Sequence, residues 1–259
     1  MRLMPRSTVG AATAALLPAL LLGAVGCGAG APAGGKAPDQ KGSAPAGTPA
    51  GTPATGVPSG AAAPPQTGGT GTELERSALA QGDLPGYQVS AQAKNPNAPD
   101  GQPRADRKAC QPLADIMGDE PDPAARETVN RGIGSQKEVG LAVSASVSSY
   151  AERDAKALLT RLKDAVAACG TGFTATVESQ SGSYRDVRAS DYRTSGDDTV
   201  SWTTTAAAQG VSAQVHVVVV RQGDTVVRLM ALNVSGAGQK ARVPHEVADK
   251  QLEKVRRTA

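Results

Sequence analysis

Apolar residues recur at helical spacing most clearly between 151 and 169. Ala155, Leu158, Leu159, Leu162, Val166 and Cys169 fall on one face, while Glu152, Arg153, Lys156, Arg161, Lys163 and Asp164 occupy much of the rest. That pattern predicts an amphipathic helix, stopped by Gly170 and Gly172. Three shorter helices follow from the same rule. One runs over 73–81, with Leu74, Ala78 and Leu79 on a face and Gly82 at its end. A second covers 108–117 and carries Cys110, Leu113 and Ile116. The last is opened by Pro244 and buries Val247, Ala248, Leu252 and Val255.

Between the helices the period changes to two. Val139, Leu141, Val143, Ala145 and Val147 alternate with Gly140, Ala142, Ser144, Ser146 and Ser148, which predicts a strand over 138–149 with one polar face. Further strands are predicted at 87–91, 127–134, 173–179, 183–190, 198–207, 211–221 and 224–234. Gln209-Gly210 and Gln222-Gly223-Asp224 supply turns, and 93–106 reads as a surface loop. A helix, strand, helix, strands, helix, strands, helix order suits an α+β domain, an antiparallel sheet with helices packed on one face.

The first 72 residues follow neither period. Arg2 and Arg6 precede an apolar stretch that ends in Ala24-Val25-Gly26-Cys27, the three parts of an export signal. Small residues leading into a cysteine resemble the lipobox of bacterial lipoproteins, although Ala24 stands where that family more often has Leu. The resemblance implies cleavage before Cys27, diacylglycerol on its thiol and acylation of the new amino terminus. Two or three acyl chains would anchor the protein stably in the outer leaflet of the cytoplasmic membrane. The competing reading, a transmembrane anchor, is weakened by Pro18, Gly23 and Gly26 within the run. Residues 28–72 are almost all Gly, Ala, Pro, Thr and Ser, with Ala-Gly-Thr-Pro repeated at 46–53. Such a segment cannot offset the entropy of ordering and is expected to be a disordered linker. The expected organisation is a signal peptide over 1–26, lipidated Cys27 and linker over 27–72, and one folded domain over 73–259.

Charge and composition narrow the function by exclusion. The formal net charge is +3, and losing Arg2 and Arg6 with residues 1–26 takes it to +1. No concentrated basic face is apparent, so no nucleic-acid partner is expected. Three cysteines and two histidines leave little for a metal site, and no cofactor motif stands out. The Gly30–Lys36 stretch imitates a phosphate loop, but Ala37 follows it and Pro32 and Pro38 interrupt it. With Cys27 given to lipid, Cys110 and Cys169 remain. Both lie on predicted helices outside the cytoplasm, so a disulfide between those helices is the simplest reading.

The folded part resembles a known module. Leu79 with Asp83-Leu-Pro-Gly-Tyr87, then Cys110-Gln-Pro-Leu113, the Tyr150-led helix ending at Cys169, and Gly223-Asp-Thr-Val-Val-Arg228 are together similar to the PknH-like extracellular sensor domain. That module forms the outer part of a mycobacterial Ser/Thr kinase and also occurs in actinobacterial lipoproteins. The resemblance implies a sandwich-like α/β fold with a ligand cleft between sheet and helices. This chain has one cysteine pair where the kinase domain has two, and it has no kinase domain. The family supplies no catalytic residues to carry over.

No catalytic constellation is expected. His216 sits mid-strand without a Gly-x-Ser-x-Gly elbow or a Ser-x-x-Lys motif nearby. Asp197-Asp198 lacks the companions of a calcium loop. Trp202, Tyr184, Tyr192 and His216 are candidate ligand-binding residues, although Trp202 and the tyrosines suit a core equally well. The leading expectation is a non-catalytic, membrane-anchored binding or sensor module at the extracytoplasmic face. Its ligand would be a small molecule, a glycan or a lipid, or it would act on an envelope protein. A lipid or glycolipid carrier and a cell-wall hydrolase are the alternatives.

Overall fold

The computed structural model describes residues 71–96, 98–233 and 239–258. The expected signal peptide, Cys27 and linker lie outside the described residues. The elements are α1 (Glu73–Ser77), β1 (Tyr87–Gln92), β2 (Arg104–Ala105), a 3-10 turn (Lys108–Cys110), α2 (Gln111–Met117), β3 (Glu127–Ser135), β4 (Leu141–Ser149), α3 (Glu152–Ala168), β5 (Phe173–Val177), β6 (Gln180–Ala189), β7 (Asp198–Ala208), β8 (Val211–Gln222), β9 (Thr225–Asn233) and α4 (His245–Thr258).

The strands form one antiparallel sheet in the order β1-β3-β4-β9-β8-β7-β6-β5-β2. Strands β5 to β9 run as a meander, which returns β9 beside β4. Alternation along β8 shows how the sheet is covered. Val218 and Val220 face a cluster containing Val247, Leu252 and Val255 of α4. Val215, Val217 and Val219 face another containing Leu158, Leu159 and Leu162 of α3. Successive strand residues point to opposite faces. The α+β class, the antiparallel sheet and the disulfide are therefore as expected. The helices, expected together on one face, divide: α1 and α4 lie on one side, α2 and α3 on the other. The central strands β8 and β9 are apolar on both faces, which requires cover on both.

Cys110 and Cys169 are bonded to each other and fully buried, with Cα atoms 5.8 Å apart. The link joins the start of α2 to the end of α3. All six apolar positions of the α3 pattern are buried as their spacing predicts, and Cys169, the last of them, lies just past the helix end.

Other elements differ from the sequence reading. Helix α1 ends at Ser77, not Gln81, because Ala78 is extended. Tertiary partners take the backbone there: Gln251 Nε2 donates to the Ser77 carbonyl, Leu79 N–H donates to Gln251 Oε1, and Arg131 Nε donates to the Leu79 carbonyl. The predicted loop 93–106 contains β2, which pairs with β5. Gln111 clamps it, accepting from Ala105 N–H and donating to the Pro103 carbonyl. Strand β4 begins at Leu141, since 136–140 are spent on a turn held by Ser135 Oγ. The serine face of β4 is also buried rather than solvated. Arg228 of β9 lies over it and donates to Ser146 Oγ and to the carbonyls of Ile116 and Gly118. Desolvation pushes the Arg228 pKa down to about 10, against the pull of Asp119 4.0 Å away, so the guanidinium stays charged at neutral pH.

Candidate functional site

A cleft of about 540 Å³ opens where the chain approaches α4, lined by Tyr87 of β1, Ser135, Lys137 and Glu138 of the β3–β4 turn, and Arg242 and His245. Tyr87 donates to Glu246 Oε1 at 2.6 Å, and Lys137 Nζ donates to the same oxygen at 3.0 Å. These two bonds hold the Glu246 carboxyl below the usual range. Burial, with the Glu246 bond second, pushes the Tyr87 phenol up to about 12. Lys137 Nζ lies 5.2 Å from the centre of the Tyr87 ring. One side of the cleft is thus a closed polar cluster.

The other side is a ring stack. His245 lies flat on Tyr192, with centroids 4.2 Å apart and planes 7° apart. The Arg242 guanidinium sits 5.6 Å from the Tyr192 ring centre and donates to the Asp191 carbonyl. Tyr192 is buried, its phenol is pushed up by that burial, and its hydroxyl makes no hydrogen bond among the described residues. Behind it, 5.4 Å away and tilted, lies His216.

The hydrogen bonds of His216 fix its chemistry. Val243 N–H donates to Nδ1 at 3.0 Å, so Nδ1 carries no proton. Nε2 must then be the protonated nitrogen, and it donates to Ser190 Oγ at 2.9 Å. Ser201 Oγ donates to the Ser190 carbonyl, which leaves it to accept from the Ser190 hydroxyl at 2.8 Å. The relay runs from His216 to Ser190 to Ser201 and ends on the backbone. A catalytic pair needs the opposite sense, with an imidazole nitrogen accepting from serine and a carboxylate orienting the ring. Burial, followed by Arg242 and His245, lowers the His216 pKa to about 4, so the ring is neutral near neutral pH.

The sequence candidates thus separate. Tyr192 and His216 are brought together, beneath the cleft rather than in it. Trp202 is fully buried on the α3 side of the sheet, a core residue. Tyr184 lies at the far end of that same side, stacked on Phe173. Lys137, Arg242 and His245 are not singled out by the sequence pattern; nothing local marks them, because their segments and that of Tyr87 meet only through the sheet. Among the described residues no group of His, Cys, Asp and Glu is placed to hold a metal ion. No described helix is long and apolar enough to cross a membrane.

Fold and site define a disulfide-pinned α+β domain with an open side cleft above a locked histidine. The chain belongs to the family of PknH-like extracellular domains, whose family model matches residues 57–254. Its location is accordingly extracytoplasmic. The crystal structure of the extracellular domain of PknH from Mycobacterium tuberculosis is similar with 12% identity and a TM-score of 0.47, over 72% of this chain and 94% of that one. A putative uncharacterized protein from Mycobacterium smegmatis is similar with 11% identity and a TM-score of 0.37, over 67% of this chain and 90% of that one. No curated protein matches the chain.

Proposed function

We propose that the protein is a non-catalytic, sensor-like binding module, tethered by lipid on Cys27 to the outer face of the cytoplasmic membrane. The observation that carries the reading is the α4 cleft. Its volume lies in the range of small-molecule sites, ~300–1,000 Å³. It offers Arg242, Lys137 and a ring surface to a ligand, while His216 behind the wall is held as a hydrogen-bond donor. A bound state would be read by a separate envelope protein. The hydrolase alternative finds no base beside Ser190. The carrier alternative needs a hollow core, and Trp202, Leu159 and Val217 fill the one beside α3.

Two measurements test the halves of this proposal. Wild-type chain should partition into detergent and Cys27→Ser into the aqueous phase; equal partitioning would remove the lipid anchor. Ligand recovered with the wild-type chain should be lost from Arg242→Ala. Retention in that variant would remove the cleft as its site.

A further inference from the structure

The Tyr184 end of the α3 side carries a second opening, a groove of about 720 Å³. Its floor includes Ala175, Val177 and Gly182 of the β5–β6 hairpin, and Pro99 and Pro103 border it from the loop before β2. Tyr184 is half-buried, with its ring 4.9 Å from that of Phe173 at an interplanar angle of 18°. Its hydroxyl makes no hydrogen bond among the described residues, and what remains of its surface lines the groove.

The rim consists of two neighbouring hairpin tips, Glu178-Ser179 and Gln209-Gly210. Gln209 Nε2 donates to Gln180 Oε1 at 3.2 Å, tying the tips together. That single bond leaves Gln180 Nε2 as a donor and Gln209 Oε1 as an acceptor for something else. Both tips hold a non-glycine residue in left-handed backbone, Glu178 at φ 52° and Gln209 at φ 51°. A tight hairpin turn favours Asn, Asp or Gly at such a position, and a longer side chain there costs stability. The chain accepts that cost where the side chains border the groove.

The charges exclude one class of ligand. The lining contains no lysine or arginine and two carboxylates: Asp100, which is ion-paired with Lys94 beside the groove, and Glu178, which has no cationic partner among the described residues. A phosphate or carboxylate group would enter against like charge. An aromatic ring, a free amide donor and acceptor, and the hydroxyls of Ser179 and Ser181 suit a neutral polyhydroxylated molecule. A sugar ring presents a C–H face to stack on an aromatic ring, and hydroxyls at its edge that both donate and accept.

We propose that this groove binds a neutral glycan segment, with one sugar ring against Tyr184 and its hydroxyls on the Gln180–Gln209 amide pair. The proposal goes beyond the α4 cleft and stands or falls without it.

The test is titration calorimetry of the full chain with chitotetraose and with maltotetraose, both neutral, and with dextran sulfate as a polyanion. A peptide of repeated Ala-Gly-Thr-Pro, the linker's own sequence, serves as the other competitor. Saturable binding of at least one tetrasaccharide is expected. Gln180→Leu keeps a side chain of similar size at an exposed position and removes the amide donor, and should weaken binding about 3–10-fold, the worth of one neutral hydrogen bond. Ala208→Arg places a long side chain in the groove from an exposed position and should abolish it. Circular dichroism and Trp202 fluorescence report whether each variant is folded. The proposal is overturned if neither tetrasaccharide binds, if only dextran sulfate or the peptide binds, or if folded Ala208→Arg binds as wild type does.

Discussion

Replacing His216 by glutamine should flatten the acid side of the stability curve. In the fold His216 is neutral, with a pKa of about 4; unfolded it returns to its ordinary 6.5. Between those values the unfolded state binds the extra proton, so stability rises with pH across the window. The contribution is full above 6.5 and is lost progressively as pH falls through 4. A shift of that size corresponds to about 3 kcal/mol, of which about 2 kcal/mol is lost between pH 7 and pH 5. The groups facing the ring set the sign. Arg242 and His245 approach from the segment leading into α4, and both disfavour an imidazolium. Tyr192, with its phenol pushed up, stays uncharged. Glutamine offers an oxygen to Val243 N–H and an N–H to Ser190 but does not titrate. The assay is urea unfolding of the full chain followed by fluorescence of Trp202, the sole tryptophan and fully buried, at intervals from pH 7 to pH 5. Asp115, whose carboxyl is raised by burial, acts in the opposite direction in both proteins. The difference between wild type and His216→Gln is therefore the quantity to read. It should change by about 2 kcal/mol over that range. Parallel curves would refute the neutral, donor-locked histidine.

Three further outcomes are expected. Cys110→Ala/Cys169→Ala should lose about 4 kcal/mol by the chain-entropy argument for a separation of 59 residues, read as a lowered urea midpoint. The native disulfide, fully buried, should resist dithiothreitol until the protein unfolds, which mass measurement after alkylation would reveal. Gly172→Ala should destabilise far more than Gly210→Ala. Both glycines have left-handed backbone, but a Cβ at 172 would lie 2.3 Å from the Tyr184 carbonyl oxygen while one at 210 meets nothing. Thermal unfolding should separate strain alone, about 1 kcal/mol, from strain plus clash, several-fold larger.

Periodicity carried most of the architecture. The face of α3 and the alternation along β8 are local consequences of which residues must leave water, so they can be read from spacing. The errors lie where distant partners decide. Nothing in 73–81 announces that Gln251 and Arg131 will take the backbone groups that would have extended α1. The serines of β4 follow a solvated-face pattern, yet Arg228, 82 residues from Ser146, covers them and satisfies one. The division of helices between two faces was missed. The sequence reading put the helices on one face, although the continuous valines of β8 require cover on both sides. The cleft residues were the least visible. Tyr87, Lys137, Arg242 and His245 come from three segments that meet only once the sheet has closed β9 against β4. The two histidines offered the best available signal, and the roles follow from geometry: His245 is in the cleft wall, and His216 is the buried support behind it.

The central claim is that the α4 cleft binds a ligand without transforming it. Native mass spectrometry of the full chain, purified from a host that exports it, tests this most directly. The account predicts extra mass that disappears on denaturation, is absent from Arg242→Ala, and is recovered chemically unchanged after prolonged incubation with the protein. Bare chain mass from wild type, or a released molecule that differs from the one bound, would contradict it.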